Sequence, residues 1–194
     1  MRVAGLILAA GESRRMGSPK ALLDYRGETF LDRLIGIFET RCSPVIVVLG
    51  AHREMILAAL RRSHEAVVVE NPDFRLGQLS SMQRGLQAVP EDSDAVLFTL
   101  VDHPAVSART IDGLLAGPPA PLRIPRYGGR RGHPIYFAQS LAAEFLALPV
   151  TSSAKEVVIR HGAEIAYLDV DDPGVITDVD DAEAYRRLLA ETIS

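Results

Sequence analysis

The sequence contains no tryptophan and only one cysteine, Cys42. A single cysteine cannot form an internal disulfide or supply a thiol pair for a metal, which favours a reducing compartment and a cytoplasmic protein. The net charge of -4 argues against a nucleic-acid partner, because there is no basic excess to cover phosphates. No apolar run approaches the ~20 residues that span a bilayer, and no signal-peptide cleavage pattern is visible, so we expect no membrane partner.

The apolar content is sufficient for one domain, which we place over residues 1–194. Hydrophobic residues make up 47% of the 194 positions, enough for a sizeable core. Short apolar segments alternate with segments of helical spacing, a pattern typical of βαβ units. The pattern predicts a three-layer, Rossmann-like α/β fold, in which helices flank a mostly parallel, twisted sheet. The predicted strands are residues 3–8, 45–49, 66–69, 95–100 and 166–170.

Helices are predicted where apolar residues recur every three or four positions. Thr29 is placed to cap the first of them, and Asp180, Asp181 and Glu183 give the last one the acidic start that suits a helix N-terminus. The predicted helices are residues 30–38, 55–60, 82–89 and a C-terminal helix around 185–189.

A Gly-Pro-Pro-Ala-Pro segment at residues 117–121 interrupts the alternation but is too short for an independent linker. We therefore interpret residues 122–162 as a smaller lobe that covers the same sheet. Ligands of open α/β sheets bind beyond the carboxyl ends of the strands. The loops after residues 8, 69, 100 and 170 are expected to meet at one crevice.

The loop after the first strand combines small residues with a cluster of cations, within Leu-Ile-Leu-Ala-Ala-Gly-Glu-Ser-Arg-Arg-Met-Gly-Ser-Pro-Lys at residues 6–20. Small residues let backbone N–H groups approach an anion, and Arg14, Arg15 and Lys20 bring cationic donors to the same place. The spacing fits neither a Walker A loop nor the dinucleotide pattern G-x-G-x-x-G. The residues indicate a triphosphate cradle, and the alternative is a basic surface loop.

Two further loops carry carboxylates. Asp102 lies at the tip of the strand at 95–100, and Asp178, Asp180 and Asp181 precede the last helix. Magnesium prefers oxygen ligands and usually takes one or two protein carboxylates plus substrate phosphates. Asp102 and Asp180 are candidates for such a pair, so Mg²⁺ is the expected cofactor. Considered separately, Asp102 can be read as a turn residue, and the acids before the last helix as a helix cap.

With these motifs the chain resembles the MobA-like nucleotidyltransferases, which attach nucleoside monophosphates to phosphorylated small molecules. Within that superfamily it is similar to the molybdenum cofactor (molybdopterin) cytidylyltransferases. The resemblance implies a fold of the nucleotide-diphospho-sugar transferase type, with an acceptor-side lobe at residues 122–162. It matches the family's Gly-Asp-x-Pro metal loop to residues 101–104 and its second acidic motif to residues 178–184. On this basis Asp102 and Asp180 are the metal ligands.

The resemblance also implies roles around the nucleotide. Arg15 and Lys20 are the expected catalytic cations, acting on the β- and γ-phosphates and on the charge that builds on the α-phosphate. Ser81 is the expected contact to the base, and ordinary helix N-capping by Ser80 or Ser81 is the alternative. The expected nucleotide-binding residues are Leu8, Ala9, Ala10, Gly11, Asn71, Gly77 and Ser81.

The match is incomplete on the acceptor side. The Arg-Gly-His-Pro sequence at residues 131–134 matches a family motif, which implies acceptor contacts from Arg131, Gly132 and His133. The family's Gly-Asp-x-Gly-Ala-Arg motif is replaced by residues 150–156, where Lys155 is the candidate substitute for the missing arginine. The identity of the acceptor is therefore the least constrained part of the resemblance.

The expected reaction is Mg²⁺-dependent transfer of CMP from CTP to a phosphorylated acceptor, first of all molybdopterin, with release of pyrophosphate and a molybdoenzyme as client. Within the same chemistry, GTP is the alternative nucleotide and a sugar, alditol or inositol phosphate the alternative acceptor. A nucleotide-sugar glycosyltransferase is a second class, but it predicts Asp-x-Asp where this chain has Asp102-His103-Pro104. A non-catalytic nucleotide-binding or assembly protein is the third class.

Overall fold

The computed structural model describes residues 1–191. The strands are β1 (Val3–Ala9), β2 (Asp24–Tyr25), β3 (Glu28–Thr29), β4 (Val45–Leu49), β5 (Val67–Glu70), β6 (Ala95–Leu100), β7 (Leu122–Tyr127), β8 (Arg130–Arg131), β9 (Ile135–Ala138) and β10 (Ile165–Asp169). The α-helices are α1 (Phe30–Glu39), α2 (Arg53–Ala59), α3 (Gln78–Leu86), α4 (Ala108–Ala116), α5 (Ala142–Ala147), α6 (Lys155–Arg160) and α7 (Ala182–Glu191).

The main sheet has the strand order β10-β7-β9-β6-β1-β4-β5, with β8 paired to β7. β1 pairs in parallel with β4 and β6, and β5 continues the parallel arrangement beyond β4. β9 is antiparallel to both of its neighbours, β6 and β7, while β10 is parallel to β7. The expected mostly parallel sheet is confirmed, and the carboxyl ends of β1, β5 and β6 lie at the same edge.

Helices cover both faces of this sheet, as the pattern of apolar side chains along β1 requires. Successive side chains of a strand point to opposite faces. Ile7 belongs to a buried cluster with Phe30 and Phe38 of α1, whereas Leu6 belongs to a second cluster that includes Met82 of α3. The expected three layers of the α/β fold follow from these two cores.

The predicted strands correspond closely to the observed ones. The strands at 45–49 and 95–100 have the predicted bounds, and the first strand extends one residue further, to Ala9. The strands predicted at 66–69 and 166–170 are displaced by one residue, to Val67–Glu70 and Ile165–Asp169. Buried strands in a parallel sheet are continuous apolar runs, and such runs are readily identified from sequence.

Helix starts were predicted less well where the first turn is polar. Thr29 caps α1 as expected, because its Oγ1 accepts the N–H of Asp32 at 3.0 Å. The helix predicted at 82–89 ends earlier, at Leu86, and also begins earlier, at Gln78, because its first turn holds a single apolar residue, Leu79, among polar ones. α7 begins at Ala182, and Asp181 Oδ1 accepts the N–H groups of Glu183 and Ala184.

Residues 122–162 contribute β7, β8 and β9 to the main sheet and add helices α5 and α6. The sequence interpretation assigned no helix to residues 108–116, which form α4 with Ser107 as its N-cap. Within residues 1–191, none of the helices combines the length and the apolar character that crossing a bilayer requires.

Candidate active site

A cavity of about 340 Å³ opens where β1 and β6 end, beside the start of α3. Of the residues singled out from the sequence, the cavity is lined by Leu8, Ala9, Ala10, Gly11, Arg15, Lys20, Gly77, Ser81, Asp102 and Asp180. The candidates that do not line it are Asn71, Arg131, Gly132, His133 and Lys155. The loops after β1 and β6 and the segment before α7 therefore meet at one site.

Lys20 connects the two candidate metal ligands directly. Its Nζ lies 3.2 Å from Asp102 Oδ2 and 2.7 Å from Asp180 Oδ1, and it donates a hydrogen bond to each carboxylate. The Lys20 side chain is 13% exposed, whereas that of Asp180 is 45% exposed and lies at the open side. The hydrogen bond from Lys20 lowers the pKa of Asp180, so this carboxyl is ionised at neutral pH. Arg15 adds a second cation, with Nη2 3.6 Å from Asp180 Oδ1.

Main-chain hydrogen bonds hold the three loops in this arrangement. Val179 N–H donates to the carbonyl of Asp102 at 3.0 Å, which joins the segment before α7 to the end of β6. Val101 N–H donates to the carbonyl of Leu8 at 3.0 Å and so connects β6 to β1. Ser13 Oγ accepts the backbone N–H of Lys20 at 3.0 Å. Backbone contacts thus hold the two acidic segments, and a hydrogen bond from the backbone N–H of Lys20 to the Ser13 side chain holds the lysine.

The two aspartates have the chemistry of a divalent-cation site. Asp102 Oδ1 is a buried oxygen without a hydrogen-bond partner within residues 1–191. A buried carboxylate oxygen with no donor is costly unless a cation or water satisfies it. No cluster of three or more His, Cys, Asp and Glu side chains suited to a metal is found among the described residues. A cation here would complete its shell with substrate phosphates and water, as Mg²⁺ commonly does.

Beyond the end of β5, a buried polar cluster lies beside the cavity. Asn71 is 3% exposed, and its Nδ2 donates to Ser80 Oγ at 3.0 Å and to Ser81 Oγ at 2.9 Å. Ser81 lines the cavity, and Asn71 contacts it from behind. Asn71 therefore reaches the cavity through Ser81.

His133 packs against the residue that follows Asp102. Its ring lies 4.7 Å from that of His103 and 5.5 Å from that of Phe98, measured between centroids. Burial lowers the pKa of His133 to about 3 and also lowers that of His103, so both rings are neutral. His103 follows β6 and His133 precedes β9, and the antiparallel pairing of these two strands brings the two histidines together.

The remaining acceptor-side candidates are spread along the surface near β10 and α6. The Arg131 guanidinium lies 4.9 Å from the centre of the Tyr167 ring and is exposed. Lys155 is the exposed first residue of α6. Gly132 is buried, and a Cβ at this position would overlap the carbonyl of Val175, so its missing side chain is explained by packing.

Several residues that line the cavity were not predicted as site residues, among them Ile56, Phe74 and Gln78. Ile56 and Phe74 supply apolar surface, and Gln78 begins α3. The position of Phe74 shortly after β5 was an available signal, because this loop lies at the carboxyl edge of the sheet. Ile56 carried none, since a buried apolar residue of a helix does not distinguish a cavity wall from the core. Cys42 is a free, buried cysteine, and burial raises the pKa of its thiol to about 12.

A mostly parallel sheet with a cationic loop and two acids at its carboxyl edge is suited to an enzyme that acts on nucleoside phosphates. The chain belongs to the MobA-like NTP transferase family, because the model of the MobA-like NTP transferase domain matches residues 5–165. The protein is therefore a nucleotidyltransferase, and the resemblance to the MobA-like superfamily is confirmed.

Two relatives of known name differ in how much of the chain they match. The protein named nicotine blue oxidoreductase from Paenarthrobacter nicotinovorans is 32% identical over 96% of this chain and 96% of its own length. A protein named "Probable molybdenum cofactor guanylyltransferase" from Mycobacterium avium (strain 104) is 34% identical over 59% of this chain and 57% of its own. The match to the guanylyltransferase thus spans little more than half of either protein.

Solved structures include one with the same overall fold and a bound transition metal. The Rv0371c protein of Mycobacterium tuberculosis H37Rv in complex with manganese is 28% identical. The match covers 98% of this chain and 99% of that one, with a TM-score of 0.77. A divalent metal is consistent with the pair of carboxylates described above.

Proposed function

We propose that this protein transfers CMP from CTP to a phosphorylated acceptor, molybdopterin, and releases pyrophosphate, as a cytoplasmic single-domain enzyme. The observation that carries the proposal is the contact of Lys20 with both Asp102 and Asp180 in a cavity lined by the loop after β1. This contact supports a single site in which the cations would bind a triphosphate and the carboxylates a divalent ion.

The residues support an in-line substitution at the α-phosphorus. An oxygen of the acceptor phosphate forms the new bond to phosphorus, and the bond to the β-phosphate oxygen breaks with departure of pyrophosphate. The nucleophile is already anionic, so no general base is required, and rate acceleration comes from positioning and charge neutralisation. We assign Arg15 and Lys20 to the β- and γ-phosphates and to the charge that develops on the α-phosphate. Asp102 and Asp180 would hold Mg²⁺, which stabilises negative charge on the phosphates as a Lewis acid.

The nucleotide is assigned to the described cavity. Backbone groups of the loop after β1 and the start of α3 supply close approach and hydrogen bonds, and the base lies toward Ser81. The residues that we propose for nucleotide binding are Leu8, Ala9, Ala10, Gly11, Asn71, Gly77 and Ser81. Asn71 contributes through Ser81, because it does not line the cavity.

We assign the acceptor to the side of Asp102 on which His133 lies. The contact between His133 and His103 supports this placement, since His103 adjoins Asp102 in sequence. Arg131, Gly132 and Lys155 are proposed to bind parts of the acceptor that extend beyond the cavity, which these residues do not line. Arg131 and Lys155 are exposed, so they are free to meet a phosphate.

GTP is the alternative to CTP, and the printed name of the Mycobacterium avium relative supports it. The Ser81 hydroxyl does not by itself discriminate the two bases, because each of them carries acceptor atoms. A molybdoenzyme that receives the dinucleotide product is the proposed client. A sugar, alditol or inositol phosphate is the alternative acceptor.

A second candidate function is an oxidoreductase activity on nicotine blue, as the name of the Paenarthrobacter relative suggests. The observation that favours it is coverage, because that relative matches 96% of this chain. Cys42 would not take part, since it is buried and its pKa is raised to about 12. A reduction would therefore depend on a bound hydride donor.

The test measures pyrophosphate release from each of the four NTPs with Mg²⁺ or Mn²⁺, with molybdopterin and with phosphorylated sugars and alditols as acceptors. Oxidation of NADH and NADPH in the presence of nicotine blue is measured in parallel. CTP- and molybdopterin-dependent release supports the proposal. Release with GTP alone would correct the base, and oxidation of NADH or NADPH by nicotine blue without any pyrophosphate release would favour the second candidate.

A further inference from the structure

Both polar atoms of the Asn71 side chain form hydrogen bonds inside the protein. Its Nδ2 donates one hydrogen bond to Ser80 Oγ and one to Ser81 Oγ, at 3.0 and 2.9 Å. Its Oδ1 accepts the backbone N–H of Asp73 at 3.0 Å. Because the amide is buried and fully paired, it can adopt only this arrangement without losing contacts.

The direction of these hydrogen bonds follows from chemistry and does not depend on how the amide was oriented. The backbone N–H of Asp73 can only donate, so the Asn71 atom that faces it must be the oxygen. The nitrogen then faces both serines, and each serine oxygen must accept. A serine that accepts a hydrogen bond keeps its own proton available for donation.

The hydroxyl protons of Ser80 and Ser81 differ in whether an acceptor lies within reach. Ser80 Oγ lies 2.7 Å from the carbonyl of Gly77, to which it donates, and Ser80 does not line the cavity. Ser81 is 4% exposed and lines the cavity, and its proton finds no acceptor among residues 1–191. A buried hydroxyl that lacks an acceptor inside the protein is suited to donate to a ligand.

We propose that Asn71 is a positioning residue for base recognition, which holds the Ser81 hydroxyl as a hydrogen-bond donor toward the nucleobase. The inference rests on the proposed function and adds the chemistry of recognition. The base must present an acceptor to Ser81, either a carbonyl oxygen or an unprotonated ring nitrogen. Cytosine and guanine both satisfy this requirement, and an exocyclic amino group does not.

The test compares the binding of CTP, GTP and tripolyphosphate to variants by isothermal titration calorimetry. Tripolyphosphate contains no base and reports on the phosphate site alone. Ser81→Ala and Asn71→Ala should each weaken CTP binding by about fivefold, the size expected for one net hydrogen bond. The double variant should be no weaker than the weaker single variant, because both changes remove the same contact. The matched control is Ser80→Ala, which should bind CTP within about twofold of wild type.

Three results would overturn the inference. Wild-type CTP affinity in Asn71→Ala would show that Ser81 is oriented without it. Losses that multiply in the double variant would show that the two residues act separately. An equal loss of tripolyphosphate binding would mean that the cluster maintains the fold and does not recognise the base.

A second variant covers the case in which Asn71→Ala does not fold, which its thermal unfolding curve would reveal. Asn71→Asp keeps the size of the side chain and the acceptor for the N–H of Asp73. Its carboxylate would accept hydrogen bonds from the hydroxyl groups of both serines, so that the Ser81 proton would no longer be available to the base. CTP affinity should then fall more than tripolyphosphate affinity, and an equal change in both would contradict the inference. Intact CTP binding without pyrophosphate release would refute the proposed transfer reaction but not this role of Asn71. If the wild type bound neither CTP nor GTP, the proposed transfer reaction and the role of Asn71 would both be refuted.

Discussion

Lys20 Nζ and Asp180 Oδ1 lie 2.7 Å apart although 160 positions separate the two residues in the chain. The same ammonium group also contacts Asp102, so one cation links the loop after β1 to the ends of two distant segments. Val179 N–H, bound to the carbonyl of Asp102, holds the two acidic segments together independently of any side chain. The approach of the two acidic segments therefore does not depend only on the side chains of the site, and we expect variants of these side chains to fold.

Lys20→Ala and Asp102→Ala should each reduce the turnover of pyrophosphate release by about 10³-fold or more, the scale at which phosphoryl-transfer enzymes depend on a transition-state charge. Circular dichroism and thermal unfolding should show that both variants are folded. Arg109→Ala removes an exposed cation of α4 and is the matched control, with turnover close to wild type. Turnover near the wild-type value in either site variant would contradict the assigned roles.

The reactivity of lysines offers a test that requires no substrate. The sequence contains two lysines, Lys20 and Lys155. Lys20 is 13% exposed and bound to two carboxylates, whereas Lys155 is exposed, so an amine-acylating reagent should modify Lys155 severalfold faster. Peptide mass spectrometry measures both rates in one sample, and Lys155 is the internal control. Equal rates would show that Lys20 is not held between Asp102 and Asp180 in solution.

Removal of divalent cations with a chelator should abolish pyrophosphate release, and Mg²⁺ or Mn²⁺ should restore it. Asp180→Asn should raise the Mg²⁺ concentration for half-maximal activity by at least about tenfold, because even outer-shell changes cost that much. Mn²⁺ binding followed by electron paramagnetic resonance gives a second measurement. Asp178→Asn is the control, since Asp178 is exposed and does not line the cavity. If both substitutions had the same effect, the assignment of the metal to Asp180 would be contradicted.

His161 should make stability depend on pH. Its Nδ1 lies 2.7 Å from Glu164 Oε1 and its Nε2 lies 2.7 Å from Glu144 Oε1, and Arg160 also contacts Glu144. The hydrogen bonds to Glu164 and Glu144 raise the pKa of His161 above its usual 6.5. A raised pKa in the folded state means that the stabilisation is fully present below pH 6.5 and is lost as the pH rises through the folded-state value.

The difference in melting temperature between wild type and His161→Gln should therefore be largest at acidic pH and shrink above neutrality. Thermal unfolding between pH 5.5 and pH 9 measures this directly. His64→Gln is the matched control, because His64 is an exposed histidine beside a single carboxylate. A constant difference across the pH range would show that His161 contributes only packing.

The five predicted strands were found because they are mostly continuous apolar runs, and Asp102 could be placed at a strand tip for that reason. β7 was missed, because its sequence Leu-Arg-Ile-Pro-Arg-Tyr mixes charged residues with apolar ones. The cationic loop was equally easy to identify, since its small residues, Arg15 and Lys20 lie within one short segment of the chain. α4 and the polar first turn of α3 escaped prediction because their apolar periods are short or absent. Two contacts could not be predicted, because they depend on strand pairing and loop geometry and not on local composition. They are the contact between His103 and His133 and the hydrogen bond from Asn71 to Ser81.

By itself, the order of the residues determined which chemistries this protein carries: a loop of small and cationic residues, two acidic segments and enough apolar strands for an α/β fold. Only the tertiary structure decided that Lys20 meets both acids and that Arg131 and Lys155 lie apart from the cavity. The physical reason is that local side-chain patterns encode strands, helices and turns. The distances between remote side chains are set by which strands pair, in what order and in what register.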